Sequence, residues 1–242
     1  MVDQVDWLLV AVLSTTAGAV DVIGFLALGG LFTAHITGNL VVLAAHYMTG
    51  GFSQIGPLLS VPVFVAVLGI ITMLFSSKVT RGTRRALLIL HAVLLAGFLG
   101  CGVACGPFAN PNSAMAVCVG MLGVAAMATQ NALVKLELPG FPSTAVVTTN
   151  TVQLTIDLAV LIRGQGDPEN LARARHRARL TIPCVGGFVA GCAAGALLKV
   201  HFGLWALTLP VLLAATAVPL GELWSKDVRY ETWTGETRGT GS

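Results

Sequence analysis

Long apolar stretches recur along nearly the whole chain and are separated by short polar segments. They lack the alternation of apolar and polar positions of a membrane β-strand, and several approach the roughly 20 residues that an α-helix needs to cross a bilayer. A helix also satisfies its own backbone hydrogen bonds in hydrocarbon. The pattern predicts an all-α integral membrane protein with six transmembrane helices, over residues 7–29, 57–76, 86–106, 113–134, 180–198 and 203–221.

Two further segments, 31–50 and 143–162, begin differently. In each, Thr and β-branched residues, which favour an extended backbone, lead to an Asn that precedes a short apolar run. Asn is a common N-cap, so we expect an extended stretch followed by a half-helix that the Asn caps. The residues at these junctions are Thr37, Gly38 and Asn39 in the first segment and Thr148, Thr149 and Asn150 in the second.

The distribution of charge indicates whether these two segments are full spans or re-entrant half-helices. Only 10% of the residues are charged, and nine of the fourteen Lys and Arg residues fall within 78–85 and 163–179. Positive residues near span ends stay in the cytoplasm. If 31–50 and 143–162 are re-entrant half-helices, two crossings separate the basic segments and both face the cytoplasm. This predicts cytoplasmic termini in a bacterial inner membrane, and explains the basic segments without nucleic acid.

The two unusual segments also indicate an internal repeat. In the first half Asp21 precedes Asn39 across a Gly-Gly break, and in the second Asn131 precedes Asn150 at a similar distance across a Pro- and Gly-containing break. With three spans in each half, the second copy enters the membrane from the opposite side. Such inverted repeats are typical of secondary transporters. The predicted halves are residues 1–106 and 107–223 of one membrane domain, followed by a polar, disordered tail at 224–242.

A family resemblance rests on the first forty residues. The run Gly18-Ala-Val-Asp21 followed by Phe32-Thr-Ala-His-Ile-Thr-Gly-Asn39 resembles the YoaK family of bacterial multispanning inner-membrane proteins, a family of unknown function. The resemblance implies a multi-pass membrane protein and names no substrate.

Polar and ionisable side chains inside apolar segments are costly and therefore mark functional sites. Asp21, His46 and Asp157 are candidates for proton coupling, although solvated positions at helix ends are an alternative. We expect the free N–H groups of the two half-helices to face each other near the membrane midplane and to bind an anion. The predicted substrate-binding residues are Asp21, His35, Thr37, Gly38, Asn39, Thr148, Thr149 and Asn150.

These features favour a secondary transporter or permease of a small polar or anionic solute. The alternative is a non-transporting membrane module, a partner or stress-response protein whose broken helices serve packing only. No catalytic motif, cofactor motif or metal-ligand set is visible, so we expect no enzyme, cofactor or metal. The bilayer is the expected partner. The series Gly187, Gly191 and Gly195 permits close helix contact either between the two halves or between the subunits of a homo-oligomer.

Overall fold

The computed structural model describes residues 4–48, 55–75, 81–138, 140–145, 147–164 and 167–223. The predicted tail at 224–242 lies outside this part. The described residues form helices and connecting loops, with no strand among them. The elements are α1 (Gln4–Ala27), α2 (Ile36–Met48), α3 (Ile55–Phe75), α4 (Arg81–Cys105), α5 (Ala114–Glu137), α6 (Val147–Arg163), α7 (Pro168–Phe202), a short 3-10 helix (Gly203–Leu207) and α8 (Thr208–Leu223).

Five of the helical stretches are long and apolar enough to cross a membrane, which supports the prediction of a multi-pass membrane protein. Four of them correspond to α1, α3, α4 and α5. The fifth runs from Pro168 to Leu223 through α7, the 3-10 helix and α8, and contains both predicted spans 180–198 and 203–221. By contrast, α2 has only 13 residues and α6 has 17.

Helices α1 and α5 are the most buried of the apolar spans and form the centre of the bundle. Helix α1 pairs with α7, and α5 pairs with α3 in the same direction, since the N–H of Ile55 at the start of α3 donates to Asn112 just before α5. In the pair of α1 and α7, Gly187 faces Ala11 and Gly195 faces Val22, so both helices run in the same direction. A Cβ atom at Gly191 would overlap the Thr15 carbonyl. The glycine series therefore packs one half of the chain against the other, which was one of the two predicted uses.

The remaining helices surround this centre. Helix α4 runs antiparallel to α5, because His91 reaches the Ala126 carbonyl while Gly102, further along α4, lies near Val119, earlier in α5. Helix α4 also packs against α8, α2 packs on α3, and α6 packs on α7. The two short helices thus lie on different pairs of long helices, α2 on the pair of α3 and α5 and α6 on the pair of α1 and α7.

The two predicted breaks are present, but their asparagines do not cap the helices. Irregular segments at 28–35 and, among the described residues, at 138 and 140–145 precede α2 and α6. Helix α2 begins at Ile36 and α6 begins at Val147, which makes Asn39 and Asn150 the fourth residue of each helix. Because an N-cap must precede the first helical residue, the predicted capping role is wrong.

Candidate functional site

The first helix break is organised around the carboxylate of Asp21. Its Oδ1 atom accepts hydrogen bonds from the backbone N–H groups of Thr33 and Ala34, both at 2.7 Å, and from the Thr33 hydroxyl at 3.2 Å. Its Oδ2 atom lies 2.6 Å from Nδ1 of His35. The carboxylate is therefore buried and surrounded by donors, as a charge in an apolar environment must be.

Asn39 closes the same break from the other side. Its side-chain amide donates to the Phe32 carbonyl at 2.7 Å and accepts from the Phe32 N–H at 2.8 Å. It also donates to the Ser60 hydroxyl on α3 at 2.8 Å. Asn39 is completely buried, so the amide replaces the backbone partners that the irregular segment lacks.

Four of the predicted binding residues, Asp21, His35, Thr37 and Gly38, meet at a cleft of about 490 Å³. The ring of His35 packs edge-on against Phe188 of α7, with 5.3 Å between centroids. Its side chain is 34% exposed, whereas that of Asp21 is 5% exposed. The polar end of the cleft is thus formed by an oriented imidazole. The other lining residues are Val22, Phe25, Phe32, Val41, Phe188 and Cys192.

The second break uses the same device with neutral groups. Asn150 donates to the Ser143 carbonyl at 2.6 Å and to the Cys184 sulfur on α7 at 3.1 Å. In both breaks the asparagine reaches the carbonyl seven residues earlier and a small polar side chain on the next long helix. The hydroxyl of Ser14 on α1 also donates to Cys184.

The residue of α5 that contacts the second break is Gln130, whereas the sequence indicated Asn131. The side-chain amide of Gln130 donates to the Thr144 hydroxyl at 2.9 Å and to the Leu13 carbonyl at 3.0 Å. Asn131 instead donates to the Met127 carbonyl of its own helix. The side chain of α5 that contacts the second break is therefore the neutral amide of Gln130 and not that of Asn131.

A family model described as "Protein of unknown function (DUF1275)" matches residues 9–219. The chain belongs to the DUF1275 family. It is 30% identical over 148 residues to the UPF0700 transmembrane protein YoaK of Bacillus subtilis (strain 168). That match covers 58% of this chain and 62% of the relative, so it spans less than two thirds of the relative's length. No solved structure matches the chain.

The resemblance to the YoaK family is thereby confirmed, and the matched region includes both helix breaks. The two breaks nevertheless differ in the polar side chains that they present. Thr148 and Thr149 are exposed on α6 and are not among the residues that line the cleft, and Asn150 is engaged within its own break. The described cleft thus combines the first break with α7.

The remaining proton-coupling candidates lie elsewhere. Asp157 is buried on α6 and forms an ion pair with Arg177 of α7, with 2.6 Å between Oδ1 and the guanidinium. Gln153 also donates to Asp157. The Nδ1 atom of His46 lies 2.9 Å from the Val42 carbonyl of its own helix. The hydrogen bonds of Asp157 and His46 therefore serve different contacts, and none of them joins these two residues.

Sequence reasoning missed the partners that complete these sites. Ser60 and Cys184 receive the two asparagine amides, and Phe188 closes the cleft from the other half of the chain. A lone Ser or Cys in an apolar span carries no signal of its own. Among the described residues, no group of three or more His, Cys, Asp or Glu side chains could hold a metal ion.

Proposed function

We propose that this protein is a secondary transporter or permease of a small polar or anionic solute, and that the solute binds at the first helix break. The observation that carries the proposal is the pair of matched breaks, one in each half. Broken helices inside a bilayer leave backbone groups that must be satisfied within the protein, and transporters use such breaks to bind solutes.

The pairing of the helices supports an inverted repeat. If α1 to α4 correspond to α5 to α8, the contact of α1 with α7 is equivalent to that of α5 with α3, and the contact of α4 with α5 is equivalent to that of α8 with α1. Each of these contacts is present. The break contacts repeat as well, since Asn39 with Ser60 matches Asn150 with Cys184.

The direction of the helices supports inversion rather than a simple repeat. Along α1, Leu13 accepts from Gln130, whereas Gly24 lies against Thr33, whose side chain also faces Gly123. Later positions of α1 thus lie near earlier positions of α5, so the two corresponding helices are antiparallel. The axis relating the halves then lies in the membrane plane. In this arrangement the spans are α1, α3, α4, α5, α7 and α8.

The same arrangement brings both basic segments to one end of the bundle. Arg85, at the start of α4, forms an ion pair with Glu222 at the end of α8. Helices α1 and α4 are both antiparallel to α5, so the starts of α1 and α4 lie at the same end of the bundle. Helices α1 and α7 run in parallel, so α7 also begins, with its arginines, at that end. We infer that this end is cytoplasmic, with both termini on that side.

The pair of Asp21 and His35 is the proton-coupling group of this proposal. Both residues line the cleft, and the imidazole is held by the carboxylate at 2.6 Å. Histidine changes its charge in the physiological pH range, which lets a solute and a proton share one site. Arg177 already neutralises Asp157, so we leave that residue out of the coupling step.

Proteoliposomes that contain a pH-sensitive dye test the transport proposal. A panel of metabolite anions, amino acids and nucleobases is applied outside, and internal pH and solute content are measured. We expect protein-dependent uptake of at least one solute together with protons, lost in His35→Gln and retained in His46→Gln, a matched histidine outside the cleft. If the panel gives no protein-dependent uptake, the packing-only alternative is favoured.

A further inference from the structure

We propose that the cleft at the first break binds a monovalent organic anion with an apolar body, and binds it together with one proton on His35. The inference rests on the proposed transport function and specifies the class of solute.

Few polar atoms of the cleft remain available to a ligand. Three donors engage Oδ1 of Asp21 and His35 engages Oδ2, and the side chain is only 5% exposed, so the cleft offers little of the carboxylate to a cation. The Nε2 atom of His35 has no hydrogen-bond partner among the described residues. The imidazole is therefore the group that the cleft offers to the charged end of a ligand.

Protonation of His35 changes the charge of the cleft. With Nδ1 held against a carboxylate, protonation at Nε2 makes His35 a cation that donates into the cleft, and the carboxylate stabilises that cation. The other titratable groups that line the cleft are Asp21 on α1 and Cys192 on α7. An anion bound at Nε2 would restore the charge balance that protonation changes, so proton and anion stabilise each other.

The rest of the cleft is suited to the apolar body of a ligand. Its walls are formed mainly by apolar side chains, including Phe25, Phe32 and Phe188. Its volume of about 490 Å³ is that of a site for a small organic molecule. Apolar walls favour a ligand with an apolar or aromatic body and disfavour strongly hydrated ions, whose water they cannot replace.

Three permanently charged probes separate these contributions by calorimetry on the purified full-length protein. Benzenesulfonate carries the anionic head and the aromatic body, methanesulfonate carries the head alone, and benzyltrimethylammonium carries the body with the opposite charge. We expect benzenesulfonate to bind tightest. Because its own charge does not change with pH, its affinity should fall about tenfold per pH unit once His35 is neutral.

Two variants locate the site. His35→Gln should weaken benzenesulfonate binding by about 10- to 100-fold through loss of a charged donor, while His46→Gln leaves it unchanged. Phe188→Ala removes an aromatic wall that makes no hydrogen bond to Asp21, and should weaken benzenesulfonate more than methanesulfonate.

Several results would overturn the inference. These are absence of benzenesulfonate binding, tighter binding of the ammonium probe, equal binding of both sulfonates, or full affinity in His35→Gln. Uptake into proteoliposomes separates this from the transport proposal. His35-dependent uptake of another solute class without benzenesulfonate binding would support the transport proposal and contradict the organic-anion site. Benzenesulfonate binding without uptake of any solute would support the organic-anion site and contradict the transport proposal.

Discussion

The two helix breaks share one scaffold and differ in charge. In each, an asparagine at the fourth helical position binds the carbonyl seven residues earlier and a small polar side chain on the next long helix. A side chain of the preceding helix then holds the break. In the first half it is the carboxylate of Asp21, and in the second it is the amide of Gln130.

This difference separates the requirements of folding from those of chemistry. At the second break a neutral amide is sufficient, since Gln130 donates to the Thr144 hydroxyl, and an amide costs less to bury than a charge. Asp21 instead accepts from two backbone N–H groups of the first break and in addition orients a titratable imidazole at a cleft. The extra expense of a buried carboxylate is therefore explained by His35, and the first break is the better candidate for function.

The comparison is tested most strongly by removing the two anchoring side chains. Asp21→Ala leaves buried donors and a histidine without their acceptor and should lower the free energy of unfolding by about 3–5 kcal/mol. Gln130→Ala should cost about 1–3 kcal/mol. Steric-trapping measurements in bicelles give both values. Equal costs would show that the charge at the first break has no special structural role.

A second pair of variants compares the asparagines. Asn39→Ala removes three hydrogen bonds from a completely buried site, including both backbone partners of Phe32, and should cost about 2–4 kcal/mol. Asn150→Ala removes two donated bonds, one of them to sulfur, and should cost about 1–2 kcal/mol. The same assay applies, and a larger loss for Asn150→Ala would reverse the proposed order.

The smallest stability changes are expected at the partners of these asparagines. Ser60→Ala removes one acceptor of Asn39 and should cost about 1 kcal/mol. Cys184→Ser exchanges a weak acceptor for a stronger one of similar shape and should change stability by less than about 1 kcal/mol. Thermal unfolding of the purified variants checks both. A large loss in Cys184→Ser would mean that the second break depends on the size of the sulfur.

Cysteine labelling tests the topology of the two halves and does not depend on a change in stability. Cysteines introduced at the exposed positions Arg85 and Arg175 should react with a membrane-impermeant reagent only after the cytoplasmic side is opened, whereas a cysteine at Asn112 should react in intact cells. Arg84 is unsuitable because its side chain is buried. Labelling of Arg85→Cys or Arg175→Cys in intact cells would contradict the proposed topology.

Local properties of the sequence were sufficient to predict a membrane protein of several apolar helices and the positions of the two breaks. Long apolar runs require helices in a bilayer, and the Thr- and Gly-containing stretches before Asn39 and Asn150 do lead into short helices. Asp21, His35 and Thr37 were predicted as binding residues because they are polar groups within an apolar region, and Gly38 because a glycine lets backbone approach a ligand closely. All four line the cleft, and their binding of a solute stays a prediction. These features depend on composition and spacing along one segment.

Only the tertiary structure decided which polar groups meet. Gln130 and Asn131 are adjacent in the sequence but differ by about 100° around their helix, so one faces the break and the other its own backbone. Asp157 meets Arg177, and Phe188 of α7 completes a cleft formed by the first half. Such contacts depend on the rotation and depth of helices packed together, and spacing along one helix does not determine either.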